Sequence, residues 1–361
     1  MSEWKKVKLG DILDFYNGKA IKVTNGPIPV YGSNGIIGYT EKPLYHNAII
    51  IGRVGAYCGS VAICQNAFWA SDNTIIVKAK NGESNIFYYF LLKIMNLNLY
   101  AGGAAQPLIT QTTLKSLETA IPPINTQRLI ATILSRYDSL IENYQKQIKL
   151  LEEAAQRLYK EWFVDLHFPG HENTKIVDGV PEGWEKKKLV EIAELKAGGD
   201  KPEIVSAKRT NECSVPIFSN GTTNEGLYGY TNLPVILEQS VTISARGSVG
   251  YTVFRRTPFV PIVRLISVTP HNIYVGYIFY CLKSTTLDSN GAAQQQITIP
   301  MIRNKEITIP SKGILELFES QTEPIFNQID ILKELIRLLT EARDRLLPKL
   351  MSGEIKIESL K

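Results

Sequence analysis

The chain repeats itself along nearly its whole length, and this duplication limits the possible folds more than any other feature of the sequence. Residues 103–106, Gly-Ala-Ala-Gln, return as residues 291–294, and the Ile-Pro pair at 121–122 returns at 309–310. The offset of 188 positions is far longer than a solenoid repeat and suits a whole domain. The 361 residues therefore predict two copies of one unit, each with its own core.

The first part of each unit has the pattern of strands and turns. Residues 48–52 and 240–244 are rich in β-branched side chains and are followed by glycine-containing turns. Shortly after these runs, residues 53–55, Arg-Val-Gly, align with residues 246–248, Arg-Gly-Ser. Each unit is therefore expected to open with a β-rich globular domain flanked by short helices.

After residue 124 the apolar residues change to a strict alternation of three and four positions. The two heptad series of the first unit are Ile130, Tyr137, Tyr144, Leu151 and Leu158, and Leu134, Ile141, Ile148, Ala155 and Trp162. Such a seam predicts a long helix that packs against a long partner.

The second unit carries the same seam 188 positions later. Its series are Phe318, Ile325, Leu332, Leu339 and Leu346, with Ile329, Ile336 and Leu350. Thr322 and Arg343 depart from the apolar rule. Pro324 is expected in an opening turn or a kink, and Pro348 should bend or end the helix.

Two matching helices, separated by a globular domain, are expected to pack antiparallel with pseudo-twofold symmetry and the globular domains at opposite ends. The predicted fold class is α+β, with two similar globular α/β domains separated by two long antiparallel helices that form a coiled coil. The predicted boundaries are 1–124 for the first globular domain, 125–165 for the first long helix, 166–312 for the second globular domain and 313–361 for the second long helix.

The positive charge belongs to the globular domains. Residues 1–124 carry 11 Lys or Arg against 7 Asp or Glu, and residues 168–312 carry 16 against 13. The first helical segment is balanced and the second is slightly acidic. This distribution permits a polyanionic partner for the globular domains without requiring one.

Sequence patterns of catalysis are absent. No G-x-x-x-x-G-K-[ST] phosphate loop occurs, nor the Asn/Asp-Pro-Pro-Tyr/Phe motif by which amino-group DNA methyltransferases resemble one another. His167 and His171 have the spacing of a zinc pair, but Pro169 and Gly170 between them prevent a helix. We therefore expect neither catalytic residues nor a metal site, and any catalysis is expected to come from a partner.

The composition indicates a cytoplasmic protein with no membrane partner. The four cysteines, Cys58, Cys64, Cys213 and Cys281, lack C-x-x-C spacing and are expected to be free thiols. No apolar run is long enough to span a bilayer, and the N-terminus lacks the apolar region of a signal peptide.

The order of globular domain and long helix, given twice, resembles the specificity subunit of type I restriction-modification systems. Local segments resemble that family as well, over essentially the whole chain: 4–12, 121–123 with Gln127, 158–163 leading into 167–170, 181–184 and 347–355. One departure is that residues 309–312, Ile-Pro-Ser-Lys, lack the glutamine expected next, so the second helix is expected to begin differently.

The resemblance implies what the chain binds. In that family each globular domain is a target-recognition domain that reads one half of a bipartite sequence in double-stranded DNA. The two helices set the spacer and dock two modification subunits, and restriction subunits join the full complex. The resemblance also implies that this chain has no cofactor and is not itself an enzyme, with S-adenosylmethionine bound by the modification subunit.

Candidate DNA contacts are polar residues in the glycine-rich loops and in the segments where the repeats differ, because Arg, Lys, Asn and Gln can pair with base edges. The candidates are Lys19, Lys22, Ser33, Asn34, Arg53 and Gln106 in the first unit, and Lys201, Lys208, Arg209, Ser219, Asn220, Arg246 and Gln294 in the second. Residues shared by both repeats can equally serve phosphate contact or turn formation, with base reading left to the segments that differ.

Two alternatives remain at this point. A duplicated helical scaffold, whose globular domains bind protein or carbohydrate, would have the same repeats and helices. An enzyme with an unrecognised site is a third reading. Salt-dependent binding to duplex DNA separates the leading hypothesis from the scaffold, because neutralised phosphates release counterions.

Overall fold

The computed structural model describes residues 4–80, 83–103, 106–285 and 296–355. The chain divides into two compact units, which we call unit 1 (Met1–Lys146 with Lys333–Lys361) and unit 2 (Gln147–Leu332). Each unit combines one globular domain with one part of each long helix.

The first globular domain and its helix contain twelve named elements among the described residues. They are β1 (Lys5–Lys8), α1 (Leu9–Ile12), β2 (Leu13–Asn17), β3 (Ile28–Gly32), β4 (Gly35–Thr40), β5 (Tyr45–Gly52), β6 (Val61–Ala70), β7 (Thr74–Ala79), α2 (Asn85–Ile94), α3 (Gln111–Ser116), β8 (Glu118–Ile121) and α4 (Ile124–Tyr159). A π-helical turn at Lys160–Val164 continues α4.

The second globular domain follows a short hairpin. The remaining elements are β9 (Ile176–Val177), β10 (Val180–Pro181), β11 (Glu185–Lys188), α5 (Leu189–Ile192), β12 (Ala193–Ala197), β13 (Val215–Phe218), β14 (Leu227–Thr231), β15 (Ser240–Ile243), β16 (Thr252–Arg255), β17 (Val260–Pro261), β18 (Ile266–Pro270), α6 (Val275–Ser284), α7 (Ile299–Ile302), β19 (Glu306–Ile309) and α8 (Lys312–Met351).

A six-stranded sheet organises unit 1, in the order β2-β7-β5-β6-β3-β4. The strands pair antiparallel except for β3 with β6, which run parallel. Successive side chains of a strand face opposite sides. Ile49 and Ile51 accordingly join the core that includes α2, whereas Ile50 packs with Ile76 and Phe68 in a second cluster.

Unit 2 repeats this plan with the long strand β6 divided in two. Its sheet β12-β18-β15-β16 corresponds to β2-β7-β5-β6, and the sheet β14-β13-β17 corresponds to β4, β3 and the end of β6. The parallel pairing of β3 with β6 recurs as β13 with β17. The predicted duplication of a mixed α/β domain is confirmed.

The predicted heptad seam is confirmed in both helices, since all of its positions are buried or half-buried. Within unit 1, Ile130 of α4 shares a core with Leu347 and Leu350 of α8. Within unit 2, Ala155 of α4 shares a core with Phe318 of α8. In each unit the beginning of one helix lies with the end of the other, so the two helices are antiparallel.

The two polar seam positions have specific partners. Thr322 is fully buried, and its Oγ1 lies 2.8 Å from the Phe318 carbonyl oxygen and 3.1 Å from Tyr274 Oη. Arg343 donates to Asp138 Oδ1 at 2.5 Å, which ties α8 to α4 within unit 1. Desolvation is the largest single effect and by itself lowers the pKa of Arg343, but its hydrogen bonds to Asp138 and Asp344 and the charges of these carboxylates together raise that pKa.

Both seam prolines lie inside α8. Pro324 follows the helix start at Lys312 by twelve residues, so it lies in the interior of α8 and the expectation of an opening turn is wrong. Because Pro324 has no N–H, the Ser320 carbonyl lacks its helical partner. Pro348 lies in the last turn before α8 ends at Met351, as expected for a residue that ends a helix.

The two long helices begin differently in their side chains, as the sequence predicts. Gln127 is buried in the first turn of α4, and its Nε2 donates to the Pro122 carbonyl at 3.0 Å. Leu315 takes the corresponding position in α8 and is buried in the core of unit 2. No helix among the described residues is long and apolar enough to cross a membrane.

Candidate nucleic-acid interface

Ser33 joins three loops of unit 1. It lies in the two-residue turn between β3 and β4, and its Oγ donates to the Asn73 carbonyl at 2.7 Å. The same Oγ accepts from the Val54 N–H at 3.5 Å, and Ser60 Oγ donates to the Ser33 carbonyl at 2.7 Å. The half-buried Ser33 side chain is therefore occupied in holding the loops after β3, β5 and β6 together.

Arg53 is fixed by its backbone at the end of β5. Its N–H donates to the Asn73 carbonyl at 2.9 Å, and its carbonyl accepts from the Ile109 N–H at 3.0 Å. Cys58 Sγ donates to the same carbonyl at 3.1 Å, and burial raises the pKa of this thiol, which keeps it protonated. The guanidinium is half-buried, and its Nε has no hydrogen-bond partner among the described residues.

The other candidates of unit 1 have exposed side chains, and backbone contacts place Lys19 and the neighbour of Gln106 beside the loops that Ser33 joins. The Lys19 N–H donates to the Ala70 carbonyl at 2.9 Å, and Trp69 Nε1 donates to the Lys19 carbonyl at 2.7 Å. The Gly55 N–H donates to the Pro107 carbonyl, which places the neighbour of Gln106 beside the loop of Arg53. The exposed candidates are Lys19, Lys22, Asn34 and Gln106.

Asn220 does in unit 2 what Ser33 does in unit 1. Its Nδ2 donates to the Val263 carbonyl at 2.6 Å, and its Oδ1 accepts from the Ala245 N–H at 2.7 Å. It thus holds the loop after β17 to the loop that carries Arg246. Arg246 itself is exposed.

Backbone hydrogen bonds correct the alignment of the two arginine loops by one residue. The Ile109 N–H donates to the Arg53 carbonyl, and its counterpart 188 positions later, the Ile297 N–H, donates to the Ala245 carbonyl, both at 3.0 Å. Arg53 therefore corresponds to Ala245, and Arg246 lies one position further along. The sequence alignment matched the two arginines, but the chain from Ala245 to β16 is one residue shorter than the chain from Arg53 to β6, so the two arginines are not equivalent.

The remaining candidates of unit 2 are distributed over three segments. Ser219 is half-buried, and its N–H donates to the Gly226 carbonyl at 2.8 Å. Gln294 lies outside the described residues. The candidates with exposed side chains are Lys201, Lys208, Arg209 and Arg246.

Two arginines of unit 2 are occupied inside the protein and cannot contribute to a DNA surface. Arg255 is 5% exposed, lies 3.6 Å from the centre of the Phe218 ring, and pairs with Glu225 at 3.6 Å. Burial lowers the pKa of Arg255 to about 10, against the raising effect of Glu225. Arg256 pairs with Glu323 and, at 3.3 Å, with Asp330 of α8.

One exposed cation, Arg264, lies beside the loops that Asn220 joins and was not among the residues predicted from the sequence. Arg264 lies in the turn Ile262–Leu265 between β17 and β18, and its φ is +60°. The carbonyl of its neighbour Val263 is the one that Asn220 holds. Nothing in the local sequence signals this turn, because Val and Arg are not residues that favour a positive φ.

Comparison with known proteins identifies the family. The model of the "type I restriction modification DNA specificity domain" matches residues 1–153 and again residues 181–344. The two matches coincide with the two copies of the repeat.

One relative matches along most of the chain, and another matches along less than half of it. The specificity subunit of the type I restriction enzyme MjaIX from Methanocaldococcus jannaschii is 29% identical, over 92% of this chain and 84% of its own length. The EcoprrI specificity subunit from Escherichia coli is 30% identical over 43% of this chain and 41% of its own.

A solved structure supports the fold. The type I restriction-modification S subunit from M. genitalium superposes with a TM-score of 0.63 over 96% of both chains, at 20% identity. With two matched specificity domains and the duplicated α/β domains and long helices described above, the chain belongs to the family of type I restriction-modification DNA specificity subunits and has two recognition domains.

Proposed function

We propose that the chain is the non-catalytic recognition subunit of a type I system, in which each globular domain reads one half of a bipartite site in double-stranded DNA. The observation that supports this proposal is that both units contain a loop cluster, by which we mean the loops joined by Ser33 in unit 1 and by Asn220 in unit 2. Ser33 in unit 1 and Asn220 in unit 2 hold corresponding loops, while the exposed side chains around them differ. One scaffold with two sets of exposed side chains suits two different half-sites.

The partners follow from the same assignment. Two modification subunits bind S-adenosylmethionine and carry out methyl transfer, restriction subunits join the full complex, and the complex works in the cytoplasm. Ile331, Leu335 and Leu338 of α8 support docking on the helices, since they are 54%, 37% and 47% exposed. Their spacing of four and three residues places them on one helix face.

Methylation of DNA tests the division of labour. We expect the purified chain alone to transfer no methyl group, because it lacks the sequence motifs of that chemistry. Adenine methylation should appear when the modification subunit and S-adenosylmethionine are added, and only in duplexes that contain the bipartite site. Methyl transfer by the chain alone would contradict the proposal.

DNA binding by the complex must also weaken with salt. Each neutralised phosphate lowers log K by about 0.9 per unit of log salt concentration. A complex whose binding does not depend on salt would favour a scaffold that binds protein or carbohydrate.

A further inference from the structure

The turn at residues 262–265 has a backbone conformation that its sequence disfavours. Val263 and Arg264, its two central residues, have φ values of +53° and +60°. The Leu265 N–H donates to the Ile262 carbonyl at 3.1 Å, so the turn is closed and both left-handed residues lie inside it. Such turns normally carry glycine or asparagine, and a β-branched residue at positive φ is an outlier.

The surrounding loops hold this strained turn in place. The Val263 N–H donates to the Gly199 carbonyl and the Arg264 N–H to the Gly198 carbonyl, both at 2.9 Å. Asn220 Nδ2 donates to the Val263 carbonyl at 2.6 Å. A side chain at residue 198 would collide with the backbone of residues 261 and 262, so the close approach requires glycine.

The strain serves no packing within unit 2. Val263 is 52% exposed, Arg264 is exposed, and no described residue forms a hydrogen bond or ion pair with the Arg264 guanidinium. Strained conformations persist mainly where they hold functional groups. In this turn the strained backbone holds the Arg264 guanidinium and the Val263 side chain next to each other at the surface of the loop cluster.

Unit 1 has a turn at the corresponding position, with different side chains and a different backbone conformation. The Thr74 N–H closes the turn on the Ser71 carbonyl at 3.0 Å, and the Gly18 N–H donates to the Thr74 carbonyl as the Gly198 N–H donates to the Leu265 carbonyl. Its central residues are the exposed Asp72 and Asn73, neither of which has a positive φ. The frame is shared, and the two central side chains change from acid and amide to valine and arginine.

We propose that this turn is a specificity-determining element in each domain, and that Arg264 reads a guanine in the half-site of unit 2. The guanidinium can donate two hydrogen bonds to guanine O6 and N7, and Val263 presents methyl groups to a neighbouring thymine methyl. Asp72 and Asn73 offer acceptors and an amide, which suit the amino groups of cytosine and adenine. The assignment rests on the proposed function.

Site selection from random duplexes, by the complex with its modification subunits, tests the role of Arg264. Arg264→Lys keeps the charge but loses the fork that binds guanine, and Arg264→Ala loses both. For both variants we expect the preference for guanine to fall about 5- to 150-fold at one position of one half-site. The other half-site should be unchanged, as should both half-sites in the control Lys175→Ala, which removes an exposed cation directly before β9.

Folding is controlled separately. Val263→Gly removes the strain of a β-branched residue at positive φ, so we expect thermal stability to be unchanged or raised. The variant should also retain the preference for guanine. If Arg264→Lys and Arg264→Ala select the same bases as the natural sequence and differ only in overall affinity and salt dependence, Arg264 contacts phosphate and the proposal is wrong. If the unaltered complex selects no bipartite site, the proposed function fails instead.

Discussion

At the scale of single residues, the loop clusters separate side chains that hold the scaffold from side chains that face solvent. Ser33 and Asn220 were both candidate DNA contacts, and both are engaged by backbone groups of neighbouring loops. Their direct contact with DNA stays a prediction. Ser33 and Asn220 thus have a structural task in each repeat, whereas the corresponding turns 71–74 and 262–265 carry exposed residues of opposite charge, Asp72 and Arg264.

Asn220→Ala should lower the stability of the protein. The substitution leaves the Ala245 N–H and the Val263 carbonyl without their partners, and an unpaired group of this kind costs about 1–3 kcal/mol. Thermal or denaturant unfolding measures the effect, with the exposed Asn211→Ala as the matched control, expected within about 0.5 kcal/mol. Equal stability of the two variants would mean that Asn220 does not hold the turn.

The sequence could supply some of these assignments and not others. Repeated motifs located the loops, because identical residues in the same order are visible without a structure even where the offset between the copies changes. The register of Arg53 against Arg246 could not be found in this way, since the identity of two arginines outweighed a one-residue difference in loop length. Arg264 could not be predicted because it lies in a turn whose central residues, Val263 and Arg264, disfavour the positive φ that the turn requires.

At the scale of elements, the heptad pattern determined the long helices almost completely. Apolar residues spaced by three and four positions define a seam whatever the connecting loops do, so both helices and their buried faces followed from the sequence. The residue type alone was a less reliable guide at Pro324, which was expected in an opening turn or a kink and lies inside α8. Leu315 and Phe318, which precede Pro324, pack in the core of unit 2. This packing stabilises the helical turns before the proline, so α8 begins at Lys312.

Pro324→Ala should therefore stabilise the protein. Pro324 is exposed inside α8, and its replacement restores a hydrogen bond to the Ser320 carbonyl and removes the clash of the ring with it. We expect a gain of about 1–3 kcal/mol in the free energy of unfolding. Gln328→Ala, exposed one turn later, is the control. A lower melting temperature for Pro324→Ala than for Gln328→Ala would show that α8 depends on the proline.

At the scale of the whole molecule, each recognition domain belongs to a unit that includes parts of both long helices. The core of unit 1 takes in Ile130 and Leu134 of α4 together with Leu347 and Leu350 of α8. The core of unit 2 takes in Ala155 and Phe318. Each domain is thus anchored by a continuous hydrophobic core to the helix segments of its own unit, and we expect a change in helix length to move the domains with those segments.

The central claim is that two recognition domains read two half-sites whose spacing the helices set. One heptad inserted into each helix at the boundary of the units, after Lys146 and after Leu332, keeps the seam in register and leaves both cores intact. It lengthens the pair by about 10 Å, which corresponds to about three base pairs at about 3.4 Å each, with DNA twist absorbing the rotation.

The decisive measurement is the preferred site of this lengthened protein, selected from random duplexes in complex with its modification subunits. We predict the same two half-sites separated by about three more base pairs. An unchanged spacer in a complex that folds and binds DNA as before would contradict the claim that the helices set the distance.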